Sequence, residues 1–248
     1  MIKSSNINIM TNTLFKAARV LRRDFNEIEK LQNSKLGTSS FVKNSIKNVD
    51  DLITFELQKA RPNWPINIIG EKNNGNEKVT TNEEYNFNVK PVSGITNYSN
   101  GISYFASSIS LLHNNETECA VVYDPIKDDL FISENGQGAF LNNSRIRTSS
   151  NRNLKQAIII FEDKDLLLNK SITKLFDDNI LFYRVFGSMS LDLASFASGK
   201  VDCYICDENT IKNDPALLLI KESGGIIINK VEYKEISFLS NPFFSEII

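Results

Sequence analysis

Across 248 residues the chain has one histidine, one tryptophan, three cysteines and six prolines, and each scarcity excludes something. The thiols are Cys119, Cys203 and Cys206, an odd number at no framework spacing, so no disulfide scaffold is expected and a reducing, cytoplasmic setting fits. The lone histidine, His113, falls with Leu112, Asn114 and Asn115 in an expected turn. It leaves Cys203-Tyr204-Ile205-Cys206 without the partners a zinc site needs. That tetrapeptide overlaps an expected strand at 201–205, where positions three apart face opposite sides of a sheet. No apolar run approaches the roughly 18 residues of a membrane span. No apolar stretch of the secretory kind follows the first six residues. A formal net charge of −2 gives no global pull towards nucleic acid or anionic membrane, and there is no nucleic-acid-binding motif. What remains is ordinary: 41% hydrophobic and 23% charged residues, in a chain long enough to bury a sizeable core.

Periodicity divides the chain into two halves, 1–150 and 151–248, of one domain spanning 1–248. Leu14, Ala18, Leu21, Phe25 and Ile28 recur at helical steps, with Lys16, Arg19, Arg22 and Arg23 as a solvated face. A break at 37–40 precedes a second helix over 44–60, which Pro62 and Pro65 close. A short strand at 66–69 leads to Gly70 and Glu71, and a polar segment follows over 72–84. Strands are expected at 103–112, 118–123, 129–133 and 139–141. Beyond residue 154 the rhythm alternates: strand 157–161, helix 166–176, helix 187–198, strand 201–205, helix 215–223 and strand 226–228. Mixed strands followed by alternating α and β units argue for a layered α/β architecture.

Residues 87–101 organise the rest. A strand-like run ends at Pro91, and Gly94-Ile95-Thr96-Asn97 can open a short helix, a turn that points several N–H groups at one place and suits an anion. This stretch resembles the signature loop of the inositol monophosphatase family, in which Asp-Pro-(Ile/Leu)-Asp-Gly-Thr-Thr-Asn-Phe follows a strand. The resemblance continues in order through Val121-Val122-Tyr123-Asp124-Pro125, Gly136-Gln137-Gly138-Ala139-Phe140-Leu141-Asn142, the segment from Arg184 through Gly187 and Ser188 to Asp202, and Ser240-Asn241-Pro242. Arg22-Arg23-Asp24-Phe25 and Lys59-Ala60-Arg61-Pro62 are closest to the bacterial extragenic-suppressor type. It implies a five-layer α-β-α-β-α sandwich, commonly a homodimer, with Arg184 and Ser188 serving packing and the start of a helix.

The family's implied chemistry is hydrolysis of a phosphate monoester by Mg²⁺ ions held on converging carboxylates. Carried over position by position, the ligands are nearly all gone. The second-helix aspartate falls on Ile46, the two loop aspartates on Lys90 and Ser93, and the first loop threonine, which orients water, on Ile95. Glu71 is retained, but Lys72 follows it where a second acid is common. The aspartate of the family's Trp-Asp pair falls on Lys212 or Asn213 depending on the direction of counting, with Asp214 beside it. The expectation is therefore a protein with no metal cofactor, a vestigial site of Glu71, Lys90, Ser93, Ile95 and Asn213, and a non-catalytic binding or regulatory role. The alternative is a phosphomonoesterase with Mg²⁺ on rearranged ligands, Glu71, Asp207, Glu208 and Asp214. Two further expectations concern Lys90: an ion pair with Glu71, and a metal-free phosphate pocket with Gly94, Ile95 and Thr96. A protein or ribonucleoprotein partner is an extension of the resemblance to the extragenic-suppressor type.

Overall fold

The helical periodicity of the N-terminal residues produces α1 (Ser5–Leu31), which buries Ile7, Met10, Leu14, Leu21, Phe25 and Ile28 along one stripe. The structure, a computed structural model, describes residues 4–31, 35–70, 84–179 and 182–246. The break expected at 37–40 is absent, because α2 (Lys35–Ala60) already runs through it. Small and hydroxylic residues cost little near a helix start, where the first N–H groups have no intrahelical acceptor anyway. After α2 come β1 (Ile66–Ile68), β2 (Tyr85–Ser93), α3 (Ile95–Ser99), β3 (Ala106–His113), β4 (Glu116–Asp124), β5 (Asp129–Glu134), β6 (Gly138–Leu141) and β7 (Ser144–Ile146). The seven strands lie side by side in chain order, β1 parallel to β2 and the rest antiparallel. His113 ends β3 and is not in the turn. Asn114 and Asn115 make it, both at positive φ, which asparagine tolerates in a two-residue hairpin.

The second half contains β8 (Ile158–Phe161), α4 (Lys164–Leu168), α5 (Lys170–Thr173), β9 (Phe182–Arg184), α6 (Met189–Ala197), β10 (Cys203–Asp207), α7 (Glu208–Lys212), α8 (Leu217–Ser223), β11 (Ile226–Asn229) and β12 (Ile236–Ser240). Its five strands are ordered β11-β12-β10-β8-β9. The single helix expected over 166–176 is divided at Asn169, whose side chain accepts the Ser171 N–H and starts a new turn.

Three apolar cores glue five layers together. One lies between α1, α2 and the outer face of the seven-stranded sheet. A second fills the middle around α6 and α8, between the two sheets. The third joins the far face of the five-stranded sheet to α4, α5 and the 3-10 turn after them. Cys203 belongs to the third core and Cys206 to the second, so the two thiols do face opposite sides of β10. Both are free, and burial raises their pKa well above the ordinary thiol value. The layered sandwich is thus the one the sequence implies.

Strand β2 departs from a regular strand at a decisive point. Phe87 and Val89 enter the outer core while Asn86, Asn88 and Lys90, alternating with them, are buried on the inner face. The β2–β3 register then shifts between Lys90 and Ser93, around Pro91, which has no N–H to give the ladder. Regular alternation would put Ser93 on the same face as Val89. The shift sends Val92 into the outer core and lets Ser93 meet α6 on the inner side.

Candidate functional site

Lys90 is 3% exposed, and its Nζ donates to Asp214 Oδ2 at 2.6 Å. Asp214 is fully satisfied. Its Oδ1 accepts from the Ala216 N–H at 2.9 Å and from Ser190 Oγ at 3.3 Å, and Ser190 Oγ lies 3.2 Å from Ser108 Oγ. A charge buried this deeply is tolerable only when a counter-charge and hydrogen bonds replace the water it lost; Asp214 has both, and Lys90 has Asp214 as its counter-charge. Asp214 owes its place to the chain between α7 and α8. Its N–H continues the end of α7 onto Ile211 O, and its carboxylate caps the turn that begins α8. Of the positions the sequence offered for the Trp-Asp aspartate, Lys212 pairs with Glu208 at 2.9 Å and Asn213 closes α7, while Asp214 beside them is the carboxylate that meets Lys90.

Around this pair the loop after β2 is locked by neutral contacts. Gly94 sits at φ +95, and a Cβ there would lie 2.9 Å from Tyr104 O and 3.0 Å from Ser188 Cβ. Ser93 Oγ accepts the Ser190 N–H at 3.1 Å, and Ser188 Oγ donates to Ser93 O at 2.9 Å. Ser188 therefore does start α6, by tying it to this loop. Arg184 is not a packing residue: it is exposed on β9, with its guanidinium on Tyr183 O. Asn97 Nδ2 joins Tyr104 O and Phe186 O, at 2.9 and 2.7 Å. Ile95 and Ile46 are half-buried against the outer core, and Thr96 is exposed. Lys90, set by the sequence beside Gly94, Ile95 and Thr96 as the cation of a phosphate pocket, gives its charge to Asp214. Glu71, its expected partner, lies outside the described residues.

The other acids of the region are engaged elsewhere. Asp207 Oδ1 caps α7 by accepting the Asn209 and Thr210 N–H groups. Glu208 is held by Lys212, so the rearranged ligand set Glu71, Asp207, Glu208 and Asp214 is not brought together by its described members. Two acids that the sequence reading passed over are strongly perturbed. Burial pushes the Glu162 carboxyl up to about 7, against the opposing pull of the Asp207 N–H and of Lys90. Burial likewise pushes Asp192 up to about 7, although Tyr104 Oη donates to it at 2.8 Å.

Residues 3–232 match the inositol monophosphatase family. The chain belongs to that family. An inositol-1-monophosphatase of Rhizobium meliloti is 35% identical over 91% of this chain and 85% of its own length. Nus factor SuhB of Escherichia coli K12 is 32% identical over 89% of this chain and 84% of its own. Among solved structures, the extragenic suppressor protein SuhB of Bartonella henselae superposes with a TM-score of 0.79 at 28% identity, covering 98% of both chains.

Phosphatases of this family work through Mg²⁺, and the described residues around Lys90 do not fit that ion. At the first loop-aspartate position an ammonium already stands 2.6 Å from Asp214. A divalent cation there would have to displace it from Asp214. Among the described residues no group of three or more His, Cys, Asp or Glu is placed to hold a metal. Lys90 and Asp214 are brought together across 124 positions of chain. The only sequence signal for that meeting was that each falls at or beside a ligand position of the family.

Proposed function

We propose that this inositol monophosphatase family member is non-catalytic, a binding or regulatory homologue in which a lysine does permanently what a bound cation does in its relatives. The supporting observation is the buried contact between Lys90 and Asp214. It neutralises the carboxylate that a metal would need, and it fills the place with an ammonium that cannot polarise water or stabilise an alkoxide as a divalent ion does. The Escherichia coli relative is named a Nus factor and not a phosphatase, and a role outside hydrolysis is one that such a scaffold can retain. By the same resemblance we assign it a homodimeric state, through the strand-rich stretch 103–141, and a cytoplasmic location. No helix of the described residues is long and apolar enough to cross a membrane.

The test is an inositol monophosphate hydrolysis assay with Mg²⁺ titrated, beside a melting curve on the same samples. No metal-dependent turnover and no Mg²⁺-dependent rise in Tm are expected, since a ligand stabilises a protein only if the native state binds it. The competing reading, an active phosphomonoesterase, is favoured by the name of the Rhizobium relative. Turnover that requires Mg²⁺ and disappears in Asp214→Asn would establish it in place of ours.

A further inference from the structure

Asn135-Gly136 lies in the turn between β5 and β6, with Asn135 just ahead of the Gly136–Asn142 run that carries the family resemblance. Polar contacts dock this turn on the end of α8. The Gly136 N–H donates to Glu222 Oε1 at 2.9 Å and the Gly138 N–H to Glu222 Oε2 at 2.7 Å, so each glycine holds one carboxylate oxygen. From the preceding position of α8, Lys221 Nζ donates to Asn135 Oδ1 at 3.3 Å. Asn135, Gly136 and Lys221 are all exposed, and a Cβ at Gly136 would meet nothing within 4 Å. An asparagine side chain and the nitrogen of the next residue are held within one ring closure of each other. A glycine there leaves that nitrogen unhindered.

We propose that Asn135-Gly136 is a self-modifying site, at which Glu222 and Lys221 promote closure of the asparagine onto the glycine nitrogen with loss of ammonia. As Gly136 N bonds to Asn135 Cγ, its proton passes to the Glu222 carboxylate, the acceptor already on that N–H. The negative charge that develops on Asn135 Oδ1 meets the Lys221 ammonium. The Cγ–Nδ2 bond then breaks, and Nδ2 takes the proton from Glu222 and leaves as ammonia. Water opens the remaining cyclic imide at either carbonyl, giving aspartate or isoaspartate. An amide and water go in, and a carboxylate and ammonium come out, so no oxidant, metal or second protein enters the balance. The product alters the joint between the turn and α8. A new carboxylate repels Glu222, and isoaspartate lengthens the backbone of the turn by a methylene, so the clamp loosens. Asn100-Gly101 is the comparison inside the same chain. There the Gly101 N–H donates to Tyr98 O at 3.2 Å, a carbonyl that takes no proton, and Asn100 Nδ2 is held by Thr96 O at 2.8 Å. The inference does not depend on whether phosphatase chemistry survives.

The experiment is incubation of the intact protein near neutral pH, with peptide mapping by mass spectrometry at intervals. The map reads the imide, lighter by one ammonia, and the opened products, in which an acid has replaced the amide. Asn135 should be lost at least about tenfold faster than Asn100 in the same molecules. Two variants accompany it. Glu222→Gln still accepts a hydrogen bond but takes no proton, and should slow the loss of Asn135 at least about tenfold. Lys221→Met should slow it about threefold or more, a smaller effect because the ammonium is exposed to water. Neither change should alter the rate at Asn100. A variant that failed to fold would accelerate both sites, and the comparison within the unaltered protein would then decide. Equal rates at Asn135 and Asn100 in the unaltered protein, or loss of Asn135 that neither folded variant slows, would each overturn the proposal.

Discussion

Among the described residues, Lys90 and Asp214 are each other's counter-charge. Lys90→Met keeps much of the volume but strands a carboxylate whose side chain is 0% exposed, so we expect a loss of about 3–5 kcal/mol in urea unfolding. Adding Asp214→Asn should recover most of that loss, because the second change removes the stranded charge. Near-additivity in this double-mutant cycle would mean that the two groups are not coupled as described. Asp192 makes a prediction of opposite sign. Its carboxyl holds its proton longer in the folded protein, with burial raising it from 3.8 to about 7. The stability it contributes is therefore complete below its ordinary value and is lost as pH rises through about 7. Asp192→Asn, which still accepts from Tyr104, should raise Tm near pH 8 by about 2–4 °C for each kcal/mol recovered, with little change near pH 4. An equal shift at both pH values would remove ionisation as the cause.

The element that positions the site is short: α3, five residues whose first turn hangs on Gly94. Its backbone at φ +95 and the 2.9 Å approach of Tyr104 O leave no room for a side chain. Gly94→Ala should cost more than about 1 kcal/mol from the left-handed conformation alone, and the collision adds to it. Chemical denaturation measures that cost, and an unchanged midpoint would contradict the geometry. The β2 irregularity at Pro91 acts on the same scale. By shifting one strand face it hands Val92 to the outer core and Ser93 to α6, and so couples the loop to the middle layer.

At the scale of the molecule, three cores hold two sheets between helical layers, and the candidate site lies where elements from both halves meet. Lys90 comes from the first sheet, Ser190 from the middle helix and Asp214 from the approach to α8. If the proposed homodimer is correct, light scattering at micromolar concentration gives twice the 28.0 kDa of the chain. A mass of one chain at all concentrations would leave the protein a monomer.

The sequence by itself determined the family and the layered architecture, because these are written in local motifs and in periods of two and 3.6 residues. It also settled the cysteines, since strand alternation alone separates Cys203 from Cys206. Only the tertiary structure decided what Lys90 is for. Its partner stands 124 residues away, on a segment whose register the local motifs left divided between Lys212 and Asn213. The inner face of β2 and β3 was hidden for a related reason. Asn86, Asn88, Ser108 and Ser110 alternate with apolar residues as they would on a strand with one wet face. The packing of a second sheet and α6 over that side is what buries them, and no local pattern carries that information.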